Sequence, residues 1–348
     1  MRVRVLKKEW ILPPDHDLFR TCHASSFAQT PAGDYLVAFF AGEKEGSPDT
    51  GIWLSANRGS GWELPRRLRS GAEPHWNPVL FQAEGRVFLY YKVGANTNVW
   101  NTYVTWSEDN GRSWAESRLL CPDDPNSRGP IRSSPVMGRD GSWIAPGSVE
   151  TEVHFDAFVD KSFDKGLSWQ RRPIPLTHRN GSRIYRKNVW EGLLKQELWE
   201  NDFSVVEKWD GVIQPALWYS DDGALHAFLR STRGHIYRSD SRDDGETWCE
   251  AYETQLPSNN AGLDCEKLPD GKLVLVCNPI FGNWARRTPI SMYVSEDDGE
   301  SFSEPFPLET LEGELSYPSV CWADGRIHVS FTFLRRTIMH CECDLVPT

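Results

Sequence analysis

A set of ionisable and hydrogen-bonding side chains recurs at one offset, about nine or ten residues ahead of a glycine that sits inside an alternating apolar stretch. His23 precedes Gly33 in this way, His75 precedes Gly85, Arg132 precedes Gly141 and Gln214 precedes Gly223. Asp264 stands near the same offset before Gly271, and Tyr317, two residues past Leu315, stands near it before Gly325. A few residues after the same glycines come Lys92, Glu150, Arg230 and the neighbourhood of Asn278. Arginine and lysine hold a small anion through charge-assisted hydrogen bonds. Histidine and carboxyl groups move protons, and tyrosine can act as a nucleophile or a base. The chemistry expected of such a group is recognition of a small carboxylated molecule and proton transfer on it. Each residue also has a plainer reading: an ion-paired arginine, a hydrogen-bonded structural His23, a His75 that orients its strand beside Trp76, or an Asp264 and Glu266 that satisfy backbone groups where a strand begins.

The elements that would bring these residues together follow from repetition. The turn glycines 33, 85, 141, 223, 271 and 325 are separated by 52, 56, 82, 48 and 54 residues, so the unit is about fifty residues long. A second pattern, Ser-x-Asp-x-Gly-x-x-Trp, occurs at Ser107–Trp114, Ser162–Trp169 and Ser241–Trp248, with Phe in place of Trp at Ser295–Phe302 and Asn57 in place of Asp at Ser55–Trp62. Its chemistry suits a turn: Asp accepts hydrogen bonds from backbone N–H groups, Gly takes a positive φ, and the aromatic packs beneath. Four strands of about 5–6 residues with their turns fill such a unit. The expected fold is all-β: one six-bladed β-propeller spanning 1–348, with an insertion at about 176–210 that is partly helical. The sixth turn glycine is too near the C-terminus for a complete blade, so the alternating MRVRVLKKEW should supply the missing strand and close the ring. In a propeller, equal offsets from the turns converge on one end of a central channel, which is the expected site.

Composition removes other classes. With 38 basic and 49 acidic side chains the net charge is 38 − 49 = −11, which disfavours a nucleic-acid partner. No apolar run approaches the roughly 18 residues of a membrane span. The first eight residues are charged and no apolar leader follows, so a cytoplasmic location is expected. Eight cysteines without paired CxxC motifs read as buried thiols rather than a disulfide scaffold. A zinc site from His16, His23 and His75 lacks HxH or HxxxH spacing, so no metal and no other cofactor is expected.

The boxes resemble the Asp-box (BNR) repeats of sialidases, and HASSFAQTPAGDYLVAFFAG, WNPVLFQ, YYKVG, GVIQPALWYSDDG, NNAGLDCEKLPDGKLVLVCNP and SYPSV extend the likeness over nearly the whole chain. Sialidases clamp the substrate carboxylate with three arginines, use an Asp as acid/base, and employ a Tyr nucleophile activated by a Glu. The resemblance implies that Arg230 is the second arginine, that Arg287 in NWARRTPISMYVSEDDG is the third, and that Asp49 in KEGSPDTGIW is the acid/base. Three positions depart: His23 stands for the first arginine, Gln214 for the activating Glu, and Leu315 for the Tyr. Gln has no basic group and Leu no nucleophile.

Three functions are compatible with this set. The first is an exo-acting glycoside hydrolase on an acidic sugar, with Asp49 as acid, His23, Glu150 or Asp264 as base, and Tyr317 as an outside nucleophile. The second is a lyase that removes the proton α to a uronate carboxylate by His23 or Tyr317, the carboxylate being neutralised by arginine. The third is a propeller that binds glycans without catalysis. In each, Arg132, Arg230, Arg287, Lys92, His75 and Gln214 line the binding site, and the partner is an acidic oligosaccharide or glycoside.

Overall fold

A computed structural model describes residues 1–179 and 209–347, and all regular structure among them is β. Most of the expected insertion, including any helix in it, lies outside the described residues. Among the described residues no helix is long and apolar enough to cross a membrane. The chain divides into two compact units, Met1–Pro135 with Tyr317–Thr348, and Val136–Ser316.

The first unit opens with β1 (Arg2–Trp10), then β2 (Thr21–Gln29), β3 (Tyr35–Gly42), β4 (Gly51–Asn57) and β5 (Arg66–Arg69), and β6 (His75–Ala83), β7 (Arg86–Val93), β8 (Asn101–Ser107) and β9 (Arg118–Leu119). β2 to β5 and β6 to β9 are two four-stranded antiparallel meanders. Both faces of β3 are buried: Leu36, Ala38 and Phe40 pack with Leu80, Leu89 and Tyr91, while Val37, Phe39 and Ala41 pack with Ile11, Phe19 and Ile338. A strand buried on both faces belongs to stacked sheets, and each such aliphatic or aromatic side chain contributes about 1.5–3 kcal/mol of burial.

The second unit continues with β10 (Val136–Met137), β11 (Trp143–Glu150), β12 (His154–Ser162) and β13 (Gln170–Pro173), then β14 (Asp210–Tyr219), β15 (Leu225–Ser231), β16 (His235–Ser241) and β17 (Tyr252–Pro257). A short parallel pairing of His154 with Asp210 and of Phe155 with Gly211 joins these two meanders into one eight-stranded sheet. β18 (Asp264–Lys267), β19 (Leu273–Cys277), β20 (Ile290–Ser295) and β21 (Phe306–Glu309) form a further meander. β15 is buried along its whole length, Leu225, Ala227 and Leu229 on one side and Phe228 on the other.

The chain ends with β22 (Leu315–Ala323), β23 (Arg326–Phe333) and β24 (Thr337–Val346). β1 adds to the outer edge of this sheet in the order β1-β24-β23-β22, with Arg2 opposite Val346 and Trp10 opposite Met339. The N-terminal strand therefore completes the last sheet, as its alternating pattern predicts.

All six turn glycines lie inside hairpins at φ between 71° and 88°. The boxes form the turns after β4, β8, β12, β16 and β20. In the turn after β16, Asp243 accepts from Thr247 N at 2.8 Å and from the hydroxyls of Ser241 at 2.8 Å and Thr247 at 2.5 Å, and Ser241 Oγ accepts from Gly245 N at 2.8 Å. Trp248 donates Nε1 to Gly245 O at 3.2 Å. The motif predicts a positive φ at Gly, and the residue before it shares that conformation: Asn110, Lys165, Asp244 and Asp298 have φ of 57–61°. Of the eight cysteines, Cys22, Cys265, Cys277, Cys341 and Cys343 are buried thiols, and Cys249 is exposed.

Candidate functional site

The sequence offset that singles out His23, His75, Gln214 and Tyr317 corresponds to a structural irregularity. The first strand of a hairpin loses register between His23 and Ser26, between Trp76 and Val79, and between Ile213 and Ala216. Left-handed non-glycine residues occupy these three places, Ala24 (φ 53°), Asn77 (40°) and Gln214 (54°), and Asn260 (58°) and Tyr317 (56°) share the conformation. Such conformations cost about 1–3 kcal/mol each and accumulate where a side chain must be re-aimed for function.

In the first unit His23, Tyr317 and Arg132 lie together. The rings of His23 and Tyr317 lie 4.1 Å apart and tilted by 50°, and the Arg132 guanidinium sits 5.6 Å over the Tyr317 ring. All three are buried, with Arg132 donating to the carbonyl of Pro318. His23 Nδ1 is 2.9 Å from Thr332 Oγ1. His75 and Lys92 serve other contacts. His75 Nδ1 meets Glu73 O at 2.9 Å, its ring stacks on Tyr91, and burial lowers its pKa. Lys92 is wholly interior, its ammonium donating to Thr102 Oγ1 at 2.7 Å and to the Arg128 carbonyl. Asp49 is exposed in the loop after β3, accepting from Ser47 Oγ at 2.7 Å and Glu43 N at 2.9 Å. The Ser47 hydrogen bond is the main reason its carboxyl stays below the usual carboxylate range. It lies in a groove of about 230 Å³ with His16, Arg20, Glu43, Arg67 and Arg336.

In the second unit Arg230 is the centre of a buried amide network. Its Nε donates to Asn260 Oδ1 at 2.7 Å and its Nη1 to Gln214 Oε1 at 3.2 Å, while Asn260 Nδ2 donates to Asn283 Oδ1 at 2.7 Å. Arg287 forms an ion pair of 2.5 Å with Glu314, both side chains at most 4% exposed, and Ser316 Oγ donates to the same carboxylate oxygen at 2.8 Å. Arg233 grips Asp210 with two hydrogen bonds of 2.9 and 2.8 Å; burial alone would raise the Asp210 pKa, but Arg233, the Arg179 N–H and His178 together outweigh it and the net shift is downward. Asp264 is buried at the start of β18 opposite Val276, and Glu150 is half-buried at the end of β11 opposite Phe155.

Glu314, Asn260, Asn283, Arg233 and Thr332 were not legible as site residues. Glu314 and Asn260 adjoin the predicted offset and carry that signal weakly; Thr332 carries none, since it reads as an ordinary strand residue. A Ser–His–Asp spacing also occurs in this unit, in a cavity of about 720 Å³: His226 meets Ser220 Oγ at 2.9 Å through Nε2 and Asp240 Oδ1 at 2.5 Å through Nδ1. Ser220 gives its proton to Asp222 Oδ1 at 2.5 Å, so its hydroxyl accepts from His226 and is not activated as a nucleophile. No group of three or more His, Cys, Asp or Glu side chains among the described residues could hold a metal ion.

These features lie in a chain whose residues 33–329 match the BNR repeat-like domain. The chain belongs to the BNR repeat-like family. The match takes in all five boxes and all six turn glycines of this BNR repeat-like protein. A protein of unknown function from Dyadobacter fermentans is similar over 99% of both chains, with 16% identity and a TM-score of 0.74. A Hadza microbial sialidase, Hz136, is similar over 96% of this chain and 68% of its own, with 16% identity and a TM-score of 0.72. The intramolecular trans-sialidase of Ruminococcus gnavus is similar over 95% of this chain and 94% of its own, with 13% identity and a TM-score of 0.64. No curated protein matches the sequence. At such identities the likeness establishes a sialidase-like, propeller-type β fold, the fold of glycoside hydrolases, and leaves the substrate to the residues.

Proposed function

We propose that this BNR repeat-like protein is an exo-acting glycoside hydrolase on an acidic, carboxylated sugar, built as six blades closed through β1. The observation that carries this reading is Arg230: a buried guanidinium that donates to the amide oxygens of Gln214 and Asn260, which orient it. Such a group favours a carboxylate over a hydroxyl at the same place. Asp49 is the proposed proton donor. In the free protein its hydrogen bonds keep it ionised, and a bound anion that displaces water raises its affinity for the proton. Asp49→Asn should abolish turnover of sialosides, ulosonates or uronides while binding persists, and the wild-type products should be saturated sugars. Recovery of an unsaturated uronate would overturn hydrolysis.

β-Elimination is the second reading, favoured by Tyr317 held against His23 with Arg132 over its ring. A lyase would depend on His23 or Tyr317 and tolerate loss of Asp49. Binding without turnover across the whole panel would identify a glycan-binding protein instead.

A further inference from the structure

We propose that Thr332 fixes His23 in the tautomer protonated at Nε2, which makes His23 a hydrogen-bond donor and removes it from the bases of the reaction proposed above, on which this role rests. Thr332 lies on β23 and is wholly buried. Its Oγ1 is 3.2 Å from the backbone N of Ala24 and 2.9 Å from His23 Nδ1. The Ala24 N–H can only donate, so it occupies a lone pair of the hydroxyl and leaves the hydroxyl proton in need of an acceptor. Among the described residues, His23 Nδ1 is the acceptor within reach of that proton. If Nδ1 carried a proton of its own, the Thr332 hydroxyl would accept twice and donate to nothing, at a cost of about 1–3 kcal/mol for a buried polar group. The hydroxyl therefore donates to Nδ1, and a neutral imidazole that accepts at Nδ1 bears its proton on Nε2.

The bulge in β2 builds this arrangement. Ala24 presents its N–H to Thr332 from a left-handed conformation, φ 53°, one residue past His23, so the same irregularity aims the imidazole and occupies the competing lone pair. The ring cannot turn over without exchanging the Nδ1 contact for a carbon, and Tyr317 at 4.1 Å and Phe40 at 5.7 Å pack against it. With Nδ1 engaged and Nε2 protonated, His23 has no lone pair for a substrate proton. Its contribution is a hydrogen bond from Nε2 to an oxygen that gains negative charge, whether a departing glycosidic oxygen or the enolate oxygen of an elimination. Thr332 is a positioning residue acting through His23.

The test is a two-bond proton–nitrogen correlation spectrum of the 15N-histidine-labelled full chain at pH 8 without substrate, the His23 signals being identified by their loss in His23→Gln. An imine-type Nδ1 and a protonated Nε2 are expected. Thr332→Val should shift His23 toward the other tautomer and Thr332→Ser should restore it. A protonated Nδ1 in the wild type, or an unchanged pattern in Thr332→Val, would overturn the assignment. If the valine variant does not fold, the wild-type and serine spectra decide. In turnover, Thr332→Val should lower kcat about ten- to hundred-fold at nearly constant KM, the effect expected when an orienting partner is lost; unchanged kcat would overturn the donor role. The spectra need no substrate, so they report on the tautomer even if the hydrolase reading fails.

Discussion

The attachment of the N-terminal strand should weaken in mild acid, through one histidine. His328 on β23 is 1% exposed, and its Nδ1 is 3.0 Å from His340 Nε2 on β24, whose Nδ1 lies 3.2 Å from Glu9 on β1. Trp62 Nε1 at 3.1 Å and Lys7 at 2.8 Å also meet Glu9, and the His328 ring stacks on Phe27, centroids 5.2 Å apart. Burial, and secondarily the neighbouring His340, push His328 down to about 4 from an ordinary 6.5, with Asp324 opposing weakly. The fold therefore excludes a proton that the unfolded chain binds. This stability is fully present above about pH 6.5 and is lost as pH falls toward 4. The gap is worth at most about 3 kcal/mol, and about 2 kcal/mol of it disappears between pH 7 and pH 5. Glu9, drawn down to about 2 chiefly by its hydrogen bond to His340, contributes stability that is lost only below about pH 4.5, so it is silent in that window. Urea unfolding of wild type and His328→Gln at both pH values isolates the effect, since the cost of the substitution itself cancels. The wild type should lose about 2 kcal/mol more than the variant between pH 7 and pH 5. Equal losses would refute the account.

Deleting Met1–Trp10 should expose the edge of β24, whose partner along that length is β1, and cause aggregation; a soluble, equally stable truncation would contradict the role of β1 in completing the sheet. Arg287→Met should remove the cation paired with the buried Glu314 carboxylate and cost about 3–5 kcal/mol of stability, most of it recovered in Arg287→Met/Glu314→Gln, as thermal unfolding would show. Arg230→Met should act on binding, lowering kcat/KM for a carboxylated sugar by about 2–4 kcal/mol in transition-state terms. Equal binding of an uncharged sugar by wild type would contradict the carboxylate reading.

Much of the scaffold was legible in the residues because its determinants are local. A glycine at positive φ between alternating strands announces a hairpin wherever it occurs, and all six turns appear where their glycines stand. An Asp two residues beyond a Ser and four before a Ser or Thr satisfies the N–H groups of its own turn, so each of the four boxes that carry this Asp folds on information within eight residues. The alternation of MRVRVLKKEW likewise marks a strand, although which edge receives it follows from the last sheet being one strand short. The site was legible only as an offset. The offset marks His23 and Gln214 beside register shifts that recur with the repeat, but nothing in residue type announces Ala24, Asn260 or Tyr317 as left-handed. Their partners were beyond reach of sequence reasoning. Thr332 meets His23 across 309 positions, and Glu314, just before β22, meets Arg287 from the loop that precedes β20. A hydrogen bond is decided by which side chains the strand registers and bulges place within about 3 Å. Threonine in a β-strand looks the same in sequence whether its hydroxyl serves its own backbone or the imidazole of a distant strand, and only tertiary packing separates the two.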